Sequence, residues 1–495
     1  MKTAKFKDSE LGPIPEDWEV KRLGDVCSLI TKGTTPTSIG CQFVQNGITF
    51  VKAESISESG KIIKGMLAHI DAQTHRLLNR SILQEGDLLF SIAGVLGRVG
   101  RINNDILPAN TNQALAIIRI GDDGNINRDY LFYCLKAQYV DDAIRNFSVG
   151  VAQANLSLEQ VGRLQLAFPP LPEQRRIAEA LGAVDRLIDS LDELIAKKRR
   201  IAQGFAHDLL GMRNDKNEPI RRLPGFKGEW ERKRLGEIGE FIRGVSFTPS
   251  QVHSKRFADT IVLYRANNIQ LGRLHHDEVV YVASECVSSN QFLRQGDILI
   301  CAANGSRALV GKSAFIGVTN EKSTFGAFMM VFRCVQSCSG SFVGCFFQSN
   351  KYREAIDDIL TGSAINNLNP SSVKTILISL PPTLAEQRAI AEVLAAADAE
   401  IAALEAKKRK YAQIKAGMMR DLLTGRVRVN FAASGEAQNP RGEAQNPSGK
   451  AQNSVNGEAQ NPASGEAQSP SGEAQNPVNG AGHGWGRTCK KETWL

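Results

Sequence analysis

Two stretches of the chain place apolar residues at alternating steps of four and three. Ile177, Leu181, Val184, Ile188, Leu191 and Ile195 set the first series, which continues through Lys198, Ala202, Phe205 and Leu209. Ile390, Leu394, Ala397, Ile401, Leu404, Lys408 and Tyr411 carry the second as far as Leu422. Sustained over four or more heptads, this spacing predicts two coiled-coil helices, each roughly 38 residues or about 57 Å long. The cations of "AKKRR" and "AKKRK" fit the seam, because a lysine stem lies along apolar surface while its ammonium reaches water. Both helices begin alike, with "PPLPEQRRIAEAL" (169–181) and "PPTLAEQRAIAEVL" (381–394). The prolines end the preceding strand, and Glu173 and Glu386 fall in the first turn, where the helix dipole favours negative charge.

Ahead of each helix the period changes. "GDLLFSIAG" and "QALAIIRI" in the first half, and "GDILICAAN" and "FMMVFRCV" in the second, are short apolar runs bounded by Gly, Asn and charge, and predict buried strands. "RDYLFYCLKAQYVDDAIRN" and "GSFVGCFFQSNKYREAIDDIL" predict amphipathic helices at matching places. The halves also share openings, "EDWEVKRLGDVCSLITKGTTP" (16–36) and "GEWERKRLGEIGEFIRGVSFTP" (228–249). Between these anchors they diverge, and "QNGITFVKAESISESGKIIKG" has no evident counterpart. A period this long marks a duplicated domain rather than a solenoid, whose repeats span about 20–50 residues. The expected fold class is α+β: two similar mixed domains in pseudo-twofold arrangement, separated by two long antiparallel coiled-coil helices. The expected boundaries are 1–170 and 213–382 for the domains, 171–212 and 383–428 for the helices, and 429–495 for a low-complexity tail.

Composition narrows the setting. Hydrophobic residues make up 42% and charged residues 23%, ordinary for a chain with cores. No apolar run reaches the length of a membrane span, and the N-terminus lacks a secretory signal, so a cytoplasmic location is expected. Nine cysteines include no CxxC pair. The cluster Cys334, Cys338 and Cys345, even with His275 and His276, matches no standard zinc spacing, so no metal site is expected. The net charge is +8, and the tail from residue 431 carries five Lys/Arg against six Asp/Glu, so the rest of the chain holds the excess. A polyanionic partner fits that balance.

The repeated "PPLPEQRRIAEAL"-type helix starts, the "KKRR…LL" helix ends, the "GEW…RLGEI…GVSFTP" openings and the divergent cores together resemble the specificity subunit of a type I restriction–modification system, over residues about 10 to 428. The resemblance implies two target recognition domains, each reading one half of a bipartite site in double-stranded DNA, with paired helices that set the gap. It implies docking of two DNA methyltransferase (modification) subunits and of restriction/translocase subunits. S-adenosylmethionine, ATP and Mg would then belong to those partners, with no cofactor on this chain.

Candidate DNA contacts are the polar residues at strand ends. "TKGTTP" offers Lys32, Gly33 and Thr34, and "IRGVSFTP" offers Arg243 and Gly244, each a cation beside a glycine that would let backbone approach phosphate. Arg98 and Arg101 lie among glycines. Asn110, Thr111, Asn112 and Gln113 precede a buried strand. In the second half, Arg265, Asn267, Asn268 and Gln270, then Asn304, Arg307 and Lys312, complete the set. Each type can read a base edge or form a turn, and their recurrence at corresponding strand ends favours a DNA face. Ile177, Leu181, Val184, Ile188, Leu191, Ile195, Ile390, Leu394, Ile401, Leu404 and Tyr411 are the expected helix-pairing or partner surface.

Catalysis is not expected on this chain. "GSRALVGKS" (305–313) has one residue too many between its glycines for a Walker loop. The Pro-Pro pairs lack the Asn/Asp/Ser and aromatic neighbours that an amino-methyltransferase uses. No histidine pair suggests acid–base chemistry. The recurring "GEAQNP" tail has too few apolar residues to order itself and is expected to be disordered. The competing readings are a stand-alone coiled-coil scaffold with two protein-binding domains, and a nucleotide-using enzyme.

Overall fold

The computed structural model describes residues 5–121, 124–148, 155–213, 218–318, 321–361 and 366–429. The expected disordered tail, 429–495, lies outside the described residues from residue 430 onward.

Each half folds into a lobe around the same antiparallel sheet. In the first, the strand order is Leu29–Lys32, Leu115–Arg119, Leu88–Ser91, Val99–Arg101. In the second it is Gly239–Arg243, Met329–Cys334, Ile298–Cys301, Ser313–Phe315, the same order in the same chain direction. All four residues of Leu88–Ser91 and of Ile298–Cys301 are buried, as their unbroken apolar runs require of a central strand. One ion pair recurs behind these sheets: Arg119 grips Asp87, and Arg333 grips Asp297, each through two nitrogens at 2.7–2.8 Å. A second sheet packs beside each first one, built on a parallel pair, Ile48–Val51 with Ala109–Thr111 and Thr260–Tyr264 with Ser323–Phe325. The stretch that seemed unmatched in sequence therefore has a structural partner: "ITFV" occupies the place of "TIVLY".

The amphipathic stretches each break into two helices, Arg128–Cys134 and Gln138–Ser148, then Gly340–Phe347 and Asn350–Thr361. The first member of each pair is a core helix rather than an amphipathic one: Tyr130 to Leu135 are all 1% exposed or less. Asn127 and Ser339 cap them, accepting from the amides of Tyr130 and Phe342.

Two long helices, Leu171–Leu210 and Leu384–Leu422, follow the lobes. They run antiparallel, because three partners step down one helix as they step up the other: Asp185 with Lys415 (2.5 Å), Asp192 with Lys408 (2.5 Å) and Lys198 with Glu400 (2.7 Å); Arg199 reaches back to Glu405 (2.5 Å). Each helix starts in one lobe and ends in the other. Ile177 and Leu181 lie in the first lobe's core together with Leu422 and Leu423. Ile390 and Leu394 lie in the second lobe's core with Leu209 and Leu210. Among the described residues, no helix is long and apolar enough to cross a membrane.

Candidate nucleic-acid interface

The repeated "EQ" at each helix start proves to be the joint between lobe and helix. Glu173 is 1% exposed and Glu386 fully buried, so neither is a solvated first-turn charge. Trp18 donates its indole N–H to Glu173 (3.3 Å), and Arg428 holds both carboxylate oxygens at 2.7 Å. Trp230 does the same for Glu386 (3.2 Å), with Arg222 at 2.7–2.8 Å. Arg222 follows the first helix yet serves the second lobe, and Arg428 follows the second helix yet serves the first. Arg428 also pairs with Asp17, and this hydrogen bond holds the Asp17 carboxyl below its ordinary range. Gln174 accepts from the Asn127 amide and Gln387 from that of Ser339, which ties each core-helix cap to a long helix. The duplicated "EDW" and "GEW" were the available signal for this joint; Arg222 and Arg428 reach it from positions 164 and 255 residues away from their glutamates.

Ion pairing and burial divide the expected seam. Ile177, Leu181, Ile390 and Leu394, expected at the helix-pairing or partner surface, lie in the lobe cores beside the opposite helix's end and fasten the helix ends there. Leu191 and Ile195 are buried mid-helix, while Val184, Ile188, Ile401, Leu404 and Tyr411 are half-buried. The thiols of Cys334 and Cys345 are pushed up to about 12 by burial.

In the second lobe the strand ends gather several expected residues around one cleft of about 1080 Å³. Arg265, Asn267 and Asn304 line it, joined by Ser246, Asn366 and two phenylalanines, Phe247 and Phe328. Arg265 and Asn267 are exposed; the Arg265 guanidinium donates to the Glu278 carbonyl (3.3 Å). Gln270 is exposed and donates to the Asn267 carbonyl (3.4 Å). Exposed Arg243 stands at the end of the edge strand Gly239–Arg243. Lys312 is half-buried. Arg307 lies apart, donating to the Asp357 carbonyl and Thr361 hydroxyl of the helix Asn350–Thr361.

In the first lobe, Gln113 packs against Thr35, the residue after Thr34. Gln113 accepts from the Thr35 amide (3.1 Å), and Arg80 reaches the Thr34 hydroxyl (3.4 Å). Lys32 is exposed on an edge strand, and Asn112 accepts from the Ala114 amide (3.2 Å).

Four other expected DNA contacts, Asn110, Thr111, Asn268 and Arg98, have polar atoms already engaged inside the lobe. Asn110 is fully buried and donates to the Leu78 carbonyl and Ser81 hydroxyl. Thr111, also fully buried, donates to the Val51 carbonyl (2.9 Å). Asn268, 1% exposed, accepts from the Arg265 amide and donates to the Asp277 carbonyl. Arg98 donates to the carbonyls of Ala53 and Ile56. Arg101 stacks 3.6 Å above the Phe132 ring and pairs with Asp129 (3.4 Å). Gly33 and Gly244 do not make room for phosphate. A Cβ on Gly33 would lie 1.9 Å from the Thr111 carbonyl oxygen, and one on Gly244 would lie 2.0 Å from that of Gly326. Each glycine lets its strand end close against the neighbouring strand. The near-Walker stretch is a short turn, Arg307–Leu309, leading into a strand rather than a helix.

The sequence reading missed Lys52, Arg80, Phe247, Phe328 and Asn366. Lys52 is the counterpart of Arg265, since Ser55 accepts from the Lys52 amide as Asn268 does from that of Arg265. Its ammonium lies 4.6 Å from the centre of the Phe43 ring.

Comparison with known proteins places this geometry. A family model described as the type I restriction modification DNA specificity domain matches residues 15–197 and again residues 227–416. The type I restriction enzyme EcoKI specificity subunit of Escherichia coli strain K12 is 36% identical over 185 residues, which span 37% of this chain and 39% of that protein. The putative type I restriction enzyme MjaX specificity subunit of Methanocaldococcus jannaschii is 26% identical over 438 residues, spanning 86% of this chain and 98% of that protein. Among solved structures, a chain from work on complex assembly in the type I R-M system superposes with a TM-score of 0.52 at 18% identity, covering 84% of this chain and 99% of that one. The type I restriction–modification S subunit from M. genitalium gives a TM-score of 0.51 at 14% identity, covering 85% and 99%. At such identities these two likenesses speak to the fold.

Proposed function

The chain belongs to the type I restriction–modification DNA specificity family, and from that membership we propose that it reads a bipartite site in double-stranded DNA, one lobe to each half-site. The observation that carries this reading is the exchange of helix ends between lobes, which fixes two like lobes at opposite ends of one antiparallel strut. Two DNA half-sites in opposite orientation on one duplex call for such an arrangement, with a spacing set by protein geometry. Arg265, Asn267 and Asn304 in the second lobe, and Thr34, Gln113 and Lys32 in the first, are the contacts proposed at base edges and phosphates.

The chain itself acts as a non-catalytic subunit in the cytoplasm. Modification subunits, two per chain, would dock on the strut and supply S-adenosylmethionine chemistry; restriction/translocase subunits would bring ATP and Mg. The half-exposed apolar side chains Leu194, Ile201 and Ile414 along the two helices suit a docked protein.

Base-resolution methylation mapping, in cells carrying this chain with modification subunits, tests the proposal. The expected result is two short specified blocks separated by a gap of fixed length and unspecified sequence. A single contiguous site, or no site at all, would contradict it. Binding of the purified assembly should also weaken steeply with salt, as phosphate contacts release counterions.

A further inference from the structure

Phe328 is 73% exposed, although its neighbours Phe325 and Phe332 are fully buried. It sits in the turn between the strands Ser323–Phe325 and Met329–Cys334, and that turn is held rigidly. Its carbonyl accepts from the amides of Ala302 (2.8 Å) and Ala303 (3.0 Å), and the preceding Gly326 amide donates to the Tyr264 carbonyl (3.0 Å). A single exposed apolar side chain is ordinary on a protein surface. This one lines the same cleft as a second phenylalanine, Phe247, 36% exposed, with Arg265, Asn267 and Asn304 around them. In the first lobe the corresponding place belongs to Ala114, whose carbonyl accepts from the Ile92 amide (2.8 Å). The apolar finger is therefore peculiar to one lobe rather than part of the shared scaffold.

We infer that Phe328 recognises the 5-methyl group of a thymine in the half-site read by the second lobe. The inference rests on the DNA-reading role proposed above. In the major groove, the thymine 5-methyl is the projecting apolar group, set among hydrogen-bond donors and acceptors on the base edges. A rigidly mounted ring among amide and guanidinium groups suits that mixture: the ring covers the methyl while its neighbours address the flanking edges. The cleft that Phe328 lines also holds Asn267, Asn304 and Arg265, whose amide and guanidinium groups can address base edges beside a methyl.

The test is a cycle of two changes, thymine→deoxyuridine in the DNA and Phe328→Ala in the chain, using the full chain assembled with its modification subunits on the mapped site. For the unaltered chain, one thymine of one half-site should matter, its replacement weakening binding about fourfold, the factor expected for one buried methyl group. Phe328→Ala should bind the thymine and deoxyuridine duplexes equally, and melt within a degree or two of its parent, since the ring is exposed. The inference is overturned if no thymine discriminates, if Phe328→Ala keeps the discrimination, or if that half-site holds no thymine on either strand. Failure of the unaltered assembly to prefer its site over scrambled DNA would instead overturn the DNA-reading role itself.

Discussion

Glu386 shows how much can hang on one side chain. It is fully buried, accepts from the Trp230 indole, and is gripped by an arginine 164 residues away in sequence. Replacing it with alanine strands Arg222 and the indole N–H beside an apolar core. Breaking a buried pair from one side costs about 3–5 kcal/mol, and Arg222 retains some exposure, so we expect about 3 kcal/mol, read as a lower urea midpoint. Gly244→Ala should destabilise for a different reason, because the new methyl would meet the Gly326 carbonyl at 2.0 Å. Main chain must move, at a cost of about 1–3 kcal/mol, and Gly33→Ala should behave alike. Lys136 supplies a pH signature. Burial, then the nearby Lys415 charge, lower its ammonium to about 8. Above that value the folded chain releases a proton that the unfolded chain keeps up to about pH 10.4. Stability should therefore rise with pH across that window, and the burden of holding the charge should be fully present below it. Lys136→Met should flatten the rise in urea midpoints measured from pH 7 to 10. At this scale the sequence was least legible. Asn110 and Asn268 looked like base readers because short polar side chains serve turns, caps and base edges with the same atoms, and only their burial separates the roles.

The long helices were legible element by element, because a four–three spacing kept over several heptads fits little besides a coiled coil, and Pro-Pro marks where each begins. Their register was not, since it depends on Asp185, Asp192, Lys198 and Arg199 finding partners 202 to 230 residues away. The register changes what an insertion would do. Ala196 lies between the Asp192–Lys408 and Lys198–Glu400 pairs, so lengthening one helix alone would break the pairs on one side. Four residues inserted after Ala196 and four opposite, after Ala403, add about 6 Å to both strands of the strut. The recognised gap should then grow by one or two base pairs, while insertion after Ala196 alone should lower stability. Methylation mapping reads the first outcome and denaturation the second. The strands of the second sheets were harder to find. "ITFV" and "TIVLY" share a fold position but almost no residues, and a parallel pair closed by a distant strand leaves no hairpin turn to mark it.

At the scale of the whole molecule, the duplication was plain from the repeated openings and helix starts, and it foretold two like lobes. The cross-over closing the assembly was not plain: Arg222 and Arg428 each leave one helix to lock the lobe at that helix's far end. Each lobe thus keeps its own core and joins the strut through the same tryptophan–glutamate–arginine contact, so a lobe should be replaceable without altering the spacing. The most direct measurement of this account exchanges residues 16–168 for the corresponding domain of another family member and maps methylated bases at single-base resolution. The account predicts that one half-site changes while the other half-site and the length of the gap stay as they were. A change in both half-sites, or a new gap length, would contradict it.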